Sequence, residues 1–278
     1  MNEYETALKN FEPQKQFFVG IDSDGCAFDT MELKHKECFG PNIINSWNLQ
    51  SVSKYAREAF EFVNLYSHWR GVNRWPALIK VLDLLRERPE VIQRGTKIPQ
   101  LDALRAYIAS GAALSNSGLV VYMQQNPHEE LEQALKWSQA VNDSIAQMVH
   151  GVTPFPYVRE SLQKLVDVAD LVVVSATPCA DLEREWHEHE IAQYVRLIAG
   201  QEMGTKAEVL ASAARGHYAP EKTLMIGDAP GDMKAARANG ALFLPINPGK
   251  EDQSWQRFYT EGIERFLNDS YAGDYEAG

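Results

Sequence analysis

The stretch "GIDSDGCAFDT", Gly20 to Thr30, sets three carboxylates, Asp22, Asp24 and Asp29, within eight positions, with Gly25 directly behind the second. Two carboxylates this close can divide acid and base roles, provided that burial and mutual repulsion push their protonation states apart. They can also share a hard divalent cation, which prefers oxygen ligands. Related groups recur further on: Ser175 and Thr177 follow the apolar run "LVVV", and Asp228 and Asp232 follow "TLMI" and Gly227. Each has an ordinary explanation. Asp before Gly is a common turn signal, Ser175 can simply end a strand, Thr177 before Pro178 suits a helix N-cap, and Asp232 suits the cap of "DMKAARA". Their joint occurrence behind three apolar runs is much harder to assign to turn chemistry.

Lys206 adds a cation. In "GTKAEVLAS" Thr205 and Glu208 form a capping-box pattern that puts Lys206 at the first helical position. The helix macrodipole disfavours a cation there by up to ~1 kcal/mol unless an anion lies close by. A phosphate would be such an anion, and a solvated surface lysine is the plain alternative.

These groups need elements to hold them. The short unbroken runs "FFVGI" (17 to 21), "LVVV" (171 to 174) and "TLMI" (223 to 226) predict strands buried on both faces, hence parallel and central. "ALFLPI" (241 to 246) predicts another. Segments of helical period, "YVRESLQKLVDVA" and "DMKAARANG", alternate with them, as in an α/β domain. In open parallel sheets ligands bind beyond the carboxyl ends of the strands, where the polar clusters fall. Between Thr30 and His150 strand signals vanish and long amphipathic stretches predict a helical insertion. "HGVTPFPYV" reads as its return linker and "NDSYAGDYEAG" as a loosely ordered tail.

Composition narrows the function classes. A formal net charge of −11 with no basic block argues against nucleic-acid binding. No apolar segment approaches the ~20 residues of a membrane span. The polar start, "MNEYETALKNFEPQKQ", has no signal-peptide core, which predicts a cytoplasmic protein. Cys26, Cys38 and Cys179 offer neither a disulfide framework nor a zinc pattern. His187 and His189 in "EWHEHE" lie two apart on a predicted helix, so their side chains diverge.

Taken together, "DSDGCAFDT", Ser175 closing "LVVVS", Lys206 and "GDAPGD" resemble, in order, the four motifs of the haloacid dehalogenase (HAD) superfamily, in its phosphatase-type members. The resemblance covers residues 17 to 30 and about 150 to 247. The family's usual Thr-Leu after the first-motif glycine is here Cys26-Ala27. The resemblance implies a Rossmann-like α/β core, residues 1–30 and 151–278, with a helical cap domain of the C1 type, residues 31–150, inserted after the first strand. It further implies a phosphatase that hydrolyses a small phosphorylated metabolite through an aspartyl-phosphate. In that scheme Asp22 is the nucleophile, Asp24 the proton carrier, and Ser175 and Lys206 hold phosphoryl oxygens. Mg2+ would be held by Asp22, Asp228, Asp232 and the backbone carbonyl of Asp24.

Substrate selection then falls to the cap, with Thr177 as a further contact. Arg70 and Arg74 in "FVNLYSHWRGVNRW" are four apart and would share a face, and could meet a second anionic group, if a helix continues through Gly71. Tyr66 and Trp69 extend the stripe Ala59, Phe62, Val63 and are expected in the cap core. A phosphomutase is the nearest alternative. A phosphonate hydrolase and a dehalogenase fit Asp24 less well, and a non-catalytic phospho-accepting module does not fit the DxDG pattern.

Overall fold

The computed structural model describes residues 3–277; the outermost residues of the two terminal stretches read above, 1, 2 and 278, lie outside it. The chain divides into two compact units, residues 1–30 with 151–278, and residues 31–150.

The first unit is built on a five-stranded, all-parallel sheet: β1 (Phe17–Ile21), β2 (Ala169–Val174), β3 (Leu197–Ala199), β4 (Thr223–Gly227) and β5 (Leu242–Pro245), in the spatial order β3-β2-β1-β4-β5. β1, β2 and β4 are buried along their whole length, which is why their sequences are continuous apolar runs without alternation. Both sheet faces are covered. One carries Val19, Ile21, Val173, Leu224 and Phe258, and the other Phe18, Val172, Met225, Leu210 and Ala236. The strand missed in sequence, β3, is a three-residue edge strand in "VRLIAG", too short and too exposed on one side to leave a run.

The tail is not loose. Tyr271 is buried, the Glu276 carboxylate accepts the Phe243 N–H at 2.9 Å and meets Arg237 at 2.9 Å, and a short helix spans Asp274–Ala277. Its two tyrosines pack edge-on at 5.2 Å, an apolar payload that a composition of small and acidic residues obscures.

The second unit is helical; among the described residues no strand falls between 31 and 150. Its longer helices are Ser53–Glu61, Arg74–Glu87, Asp102–Ala109, Asn116–Gln125 and Glu129–Met148. They close on an aromatic centre in which Trp137 packs against Trp75 at 6.0 Å, Trp47 at 5.7 Å and Phe39 at 6.1 Å. Asn73 and Ser115 cap two of the helices by accepting the Trp75 and Gly118 N–H groups. After Glu61 the helix widens into a π-helical turn, Phe62–Tyr66. The extra residue in each i→i+5 turn rotates the expected stripe off the core. Ala59 and Val63 stay buried, whereas Phe62 is 53% and Tyr66 56% exposed; Trp69 packs partly buried against the core.

One buried charge ties the first unit's periphery to its sheet. Asp170, in β2, accepts the Gln14 and Lys15 N–H groups at 2.8 and 3.0 Å, the Tyr218 hydroxyl at 2.5 Å and the Arg196 guanidinium at 2.7 Å. Burial pushes its carboxyl up, but the donations from Tyr218, Gln14, Arg196 and Lys15 outweigh that and hold it below the usual value. A depressed folded-state value means that this stability is present above the ordinary carboxylate range and is lost as pH falls through the lower folded value. Asp170→Asn is expected to cost about 2–4 kcal/mol at neutral pH and to flatten the acid limb of the stability–pH curve, read from urea unfolding between neutral and strongly acid pH.

Candidate active site

The parallel register lines up the ends of three strands. Ile21 pairs with Val173 on one side and with Ile226 on the other, so Asp22, Ser175 and Asp228 all emerge at the carboxyl edge of the sheet. The Asp22 N–H still donates to the Ile226 carbonyl at 3.0 Å, and the Ser175 N–H to the Ala199 carbonyl at 2.9 Å. Beyond these last ladder bonds the backbone turns away. Gly25, at φ 74°, lets the chain reverse after Asp24.

Lys206 is the joint of the site. Its ammonium lies 2.7 Å from Asp22 Oδ2 and 2.5 Å from Asp232 Oδ1. The helix Lys206–Ala213 has the capping box expected from Thr205 and Glu208, and the anions that balance a cation at its first position are these two carboxylates. Burial would lower the Lys206 value, but Asp22 and Asp232 more than offset it and hold the ammonium charged far above neutrality. For Asp22 the balance runs the other way. Burial pushes its carboxyl well up, Asp232 and Asp228 add to that, and Lys206 opposes them.

Asp22, Asp228 and Asp232 each place a carboxylate oxygen within 4.8 Å of the others, with one ammonium against three acids. This crowded, hard-oxygen donor set suits a divalent cation such as Mg2+. Asp232 is fully buried and has both oxygens engaged: Oδ1 by Lys206, Oδ2 by the Ala229 N–H at 3.0 Å. It stands in the first turn of the helix Pro230–Ala238, so its capping role and its pairing with Lys206 coexist. Gly227 makes room for it, since a Cβ there would lie 2.4 Å from the Asp232 Cβ and Cγ.

Asp24 sits apart from that cluster. Its carboxylate accepts the Thr177 hydroxyl at 2.8 Å on Oδ2 and the Thr30 hydroxyl on Oδ1. Thr177 is therefore not the helix cap; the helix Cys179–Glu188 starts after Pro178, and the Thr177 side chain is directed to Asp24 instead. Thr177 and Ser175 are linked by the Thr177 N–H, which donates to Ser175 Oγ at 3.3 Å.

Arg70 and Arg74 belong to the helical unit and do not share a helix face. The π-turn ends at Tyr66, Gly71 adopts φ 76°, and a new helix begins only at Arg74. Buried Arg70 donates to the Leu65 carbonyl at 3.2 Å, while Arg74 donates to Ser138 Oγ at 2.7 Å and Asn142 Oδ1 at 2.8 Å and stacks on Phe39. His187 is exposed and His189 only partly so, at the end of their helix, consistent with diverging side chains.

The sequence assigns no chemical part to the Ser23 hydroxyl, Thr30, Trp186 or Trp255. The Trp186 indole donates to Ser23 Oγ at 3.1 Å and the Trp255 indole to the Cys26 carbonyl at 2.7 Å. Nothing local in the sequence marks these contacts, because their partners lie 163 and 229 positions away.

Comparison with known proteins follows from this geometry. The family model described as haloacid dehalogenase-like hydrolase matches residues 100–246, which take in Ser175, Lys206, Asp228 and Asp232. A hydrolase from Pseudomonas syringae is similar in structure, with 15% identity over 87% of this chain and 90% of that one and a TM-score of 0.51, a likeness of fold. A predicted phosphoglycolate phosphatase from Haemophilus somnus aligns with 15% identity over 84% and 86% of the two chains at a TM-score of 0.49. A haloacid dehalogenase-like hydrolase from Streptococcus pneumoniae aligns with 17% identity over 86% and 90% at 0.44. No curated protein sequence matches. With more than half of its length matched by the family model, and with that model's strand-end residues gathered at one edge of a parallel sheet, the chain belongs to the haloacid dehalogenase-like hydrolases.

Proposed function

We propose that the chain is a Mg2+-dependent phosphatase that hydrolyses a small phosphorylated metabolite through an aspartyl-phosphate. The observation that carries this reading is the Lys206 ammonium held between Asp22 and Asp232, with Asp228 beside them, at the carboxyl edge of the sheet. A phosphate monoester repels an anionic nucleophile, so the site must supply positioning and positive charge. Lys206 supplies one charge. A divalent cation held by Asp22, Asp228 and the Asp24 carbonyl would neutralise further phosphoryl charge when bound, and Asp232, through Lys206 and the Ala229 N–H, would orient rather than ligate.

The Asp22 carboxylate is fixed by the Ser23 N–H on Oδ1 at 2.8 Å and by Lys206 on Oδ2. It attacks phosphorus as the bond to the leaving oxygen breaks, and Asp24 gives that oxygen its proton. Water then attacks the aspartyl-phosphate, Asp24 takes a proton back, and inorganic phosphate leaves with the Asp22 carboxylate restored. The hydroxyls of Thr30 and Thr177 can each donate or accept, so their contacts with Asp24 survive both of its protonation states. Ser175 and Lys206 hold phosphoryl oxygens, with the N–H groups of Ser23, Asp24 and Ala176 available at the turns. The unit 31–150 is proposed as the cap that selects the substrate, with Thr177, the buried Arg70 and the partly buried Arg74 as candidate contacts.

Phosphate release from a panel of phosphorylated metabolites is expected to require added Mg2+ and to stop on chelation with EDTA. Asp22→Asn is expected to lower it by roughly 10³-fold or more, while thermal melting shows the variant folded; undiminished release would remove Asp22 as nucleophile. Isomerised substrate in excess of free phosphate would instead mark a mutase. Gly227→Ala is expected to displace the Asp232 carboxylate, costing about 1–3 kcal/mol in urea unfolding and lowering kcat more than it raises KM.

A further inference from the structure

Two tryptophans from distant parts of the chain converge on the turn that carries both proposed catalytic aspartates. Ser23, between Asp22 and Asp24, is the hub of that turn. Its N–H donates to Asp22 Oδ1, and its carbonyl accepts the N–H groups of Cys26, Ala27 and Phe28 at 3.3, 2.9 and 3.0 Å. Its hydroxyl accepts the Trp186 indole at 3.1 Å. Three residues on, the Cys26 carbonyl accepts the Trp255 indole at 2.7 Å.

Ser23, Cys26, Trp186 and Trp255 are all without solvent exposure. Trp186 stands on the helix Cys179–Glu188, directly after Ser175 and Thr177, and Trp255 on the helix Glu251–Arg257, after β5. Both rings join one apolar cluster with Cys26, Ala27 and Phe28. Aliphatic or phenyl side chains would fill such a cluster without a donor to place. Unlike the buried indoles of Trp47, Trp75 and Trp137, whose Nε1 atoms have no hydrogen-bond partner, each of these two donates to an acceptor on the turn.

We propose that Trp186 and Trp255 are positioning residues that clamp the Asp22–Asp24 turn, through the Ser23 hydroxyl and the Cys26 carbonyl, and so fix Asp24 for proton transfer to the leaving oxygen. The proposal rests on the phosphatase reading above. It also gives the departure at Cys26-Ala27 a physical setting, small residues sharing a cluster with two large rings. Removing one indole N–H leaves a buried acceptor without its donor and frees the turn by a fraction of an ångström, a displacement that geometry-dependent proton transfer registers strongly.

The test compares two esters on the full chain: p-nitrophenyl phosphate, whose leaving group departs without a proton, and an alkyl phosphate, β-glycerol phosphate, whose leaving group needs one. Trp186→Phe and Trp255→Phe are each expected to lower kcat on the alkyl ester roughly 10- to 100-fold, with KM and the aryl ester changing by less than about 3-fold, and Ser23→Ala to lower kcat on the alkyl ester at least as much. The pair Ser23→Ala/Trp186→Phe is expected to be no worse than Ser23→Ala alone, because both remove one contact. Independently of turnover, the Trp186 indole N–H is expected to be protected from hydrogen exchange in the wild type and to lose that protection in Ser23→Ala. If Trp186→Phe does not fold, Trp255→Phe carries the two-ester comparison, and Ser23→Ala, which keeps both rings, carries the hydrogen-exchange readout. Equal losses on the two esters, or no loss in folded variants, would overturn the clamp. A wild-type chain that releases phosphate from neither ester would overturn the phosphatase reading, and the clamp's catalytic role with it.

Discussion

Everything at the sheet edge depends on one arrangement of charge, an ammonium wedged between two buried carboxylates. Lys206 keeps its charge in that buried place because Asp22 and Asp232 flank it, and its ammonium in turn opposes the burial and the neighbouring acids that push the Asp22 carboxyl up. The parallel sheet makes the arrangement possible by delivering Asp22 and Asp228 from adjacent strands in fixed register. Gly227 makes it exact in space by leaving no side chain where Asp232 must lie. Such a cluster is costly to build, because each charge must be taken out of water.

Around that centre, hydrogen bonds sort the two aspartates of the first turn. Asp22 lies against Lys206 and the other acids, whereas Asp24 accepts from the hydroxyls of Thr30 and Thr177. Unequal surroundings are what allow neighbouring carboxyl groups to hold different protonation states. The inequality comes from chain topology: Thr177 arrives on the loop after β2 and Thr30 from the end of the same turn.

Much of this was legible in the sequence because it is written locally. β1, β2 and β4 are doubly buried and leave unbroken apolar runs; the capping box of Thr205 and Glu208 announces the helix that carries Lys206; the absence of strand periodicity between 31 and 150 announces the helical unit. What was hidden depends on distance or on small changes of winding. β3 is too short to show a pattern, and the π-turn at Phe62–Tyr66 turned Phe62 and Tyr66 of a correctly spaced stripe to the surface. Gly71 broke the helix that Arg70 and Arg74 would have shared. The partner of Lys206 was foreseen as an anion, but no local rule says that the protein itself supplies it. The indole contacts of Trp186 and Trp255 join residues 163 and 229 positions from their acceptors, beyond the reach of any periodicity.

The way the chain departs toward residues 31–150 and comes back has a consequence of its own. The outgoing Phe28 bridges to the returning Pro154, and the Phe155 N–H donates to the Ala27 carbonyl at 3.0 Å. The two stems of the insertion are thus stitched together within the sheet unit. Closing a loop whose ends are already paired depends only weakly on how many residues lie between them. The carboxyl edge of the sheet is therefore mechanically indifferent to the length of what is inserted there, and the helical segment can lengthen, shorten or be exchanged while the strand ends stay as they are. In this chain the seam between the sheet unit and the helical insertion is only a few residues wide.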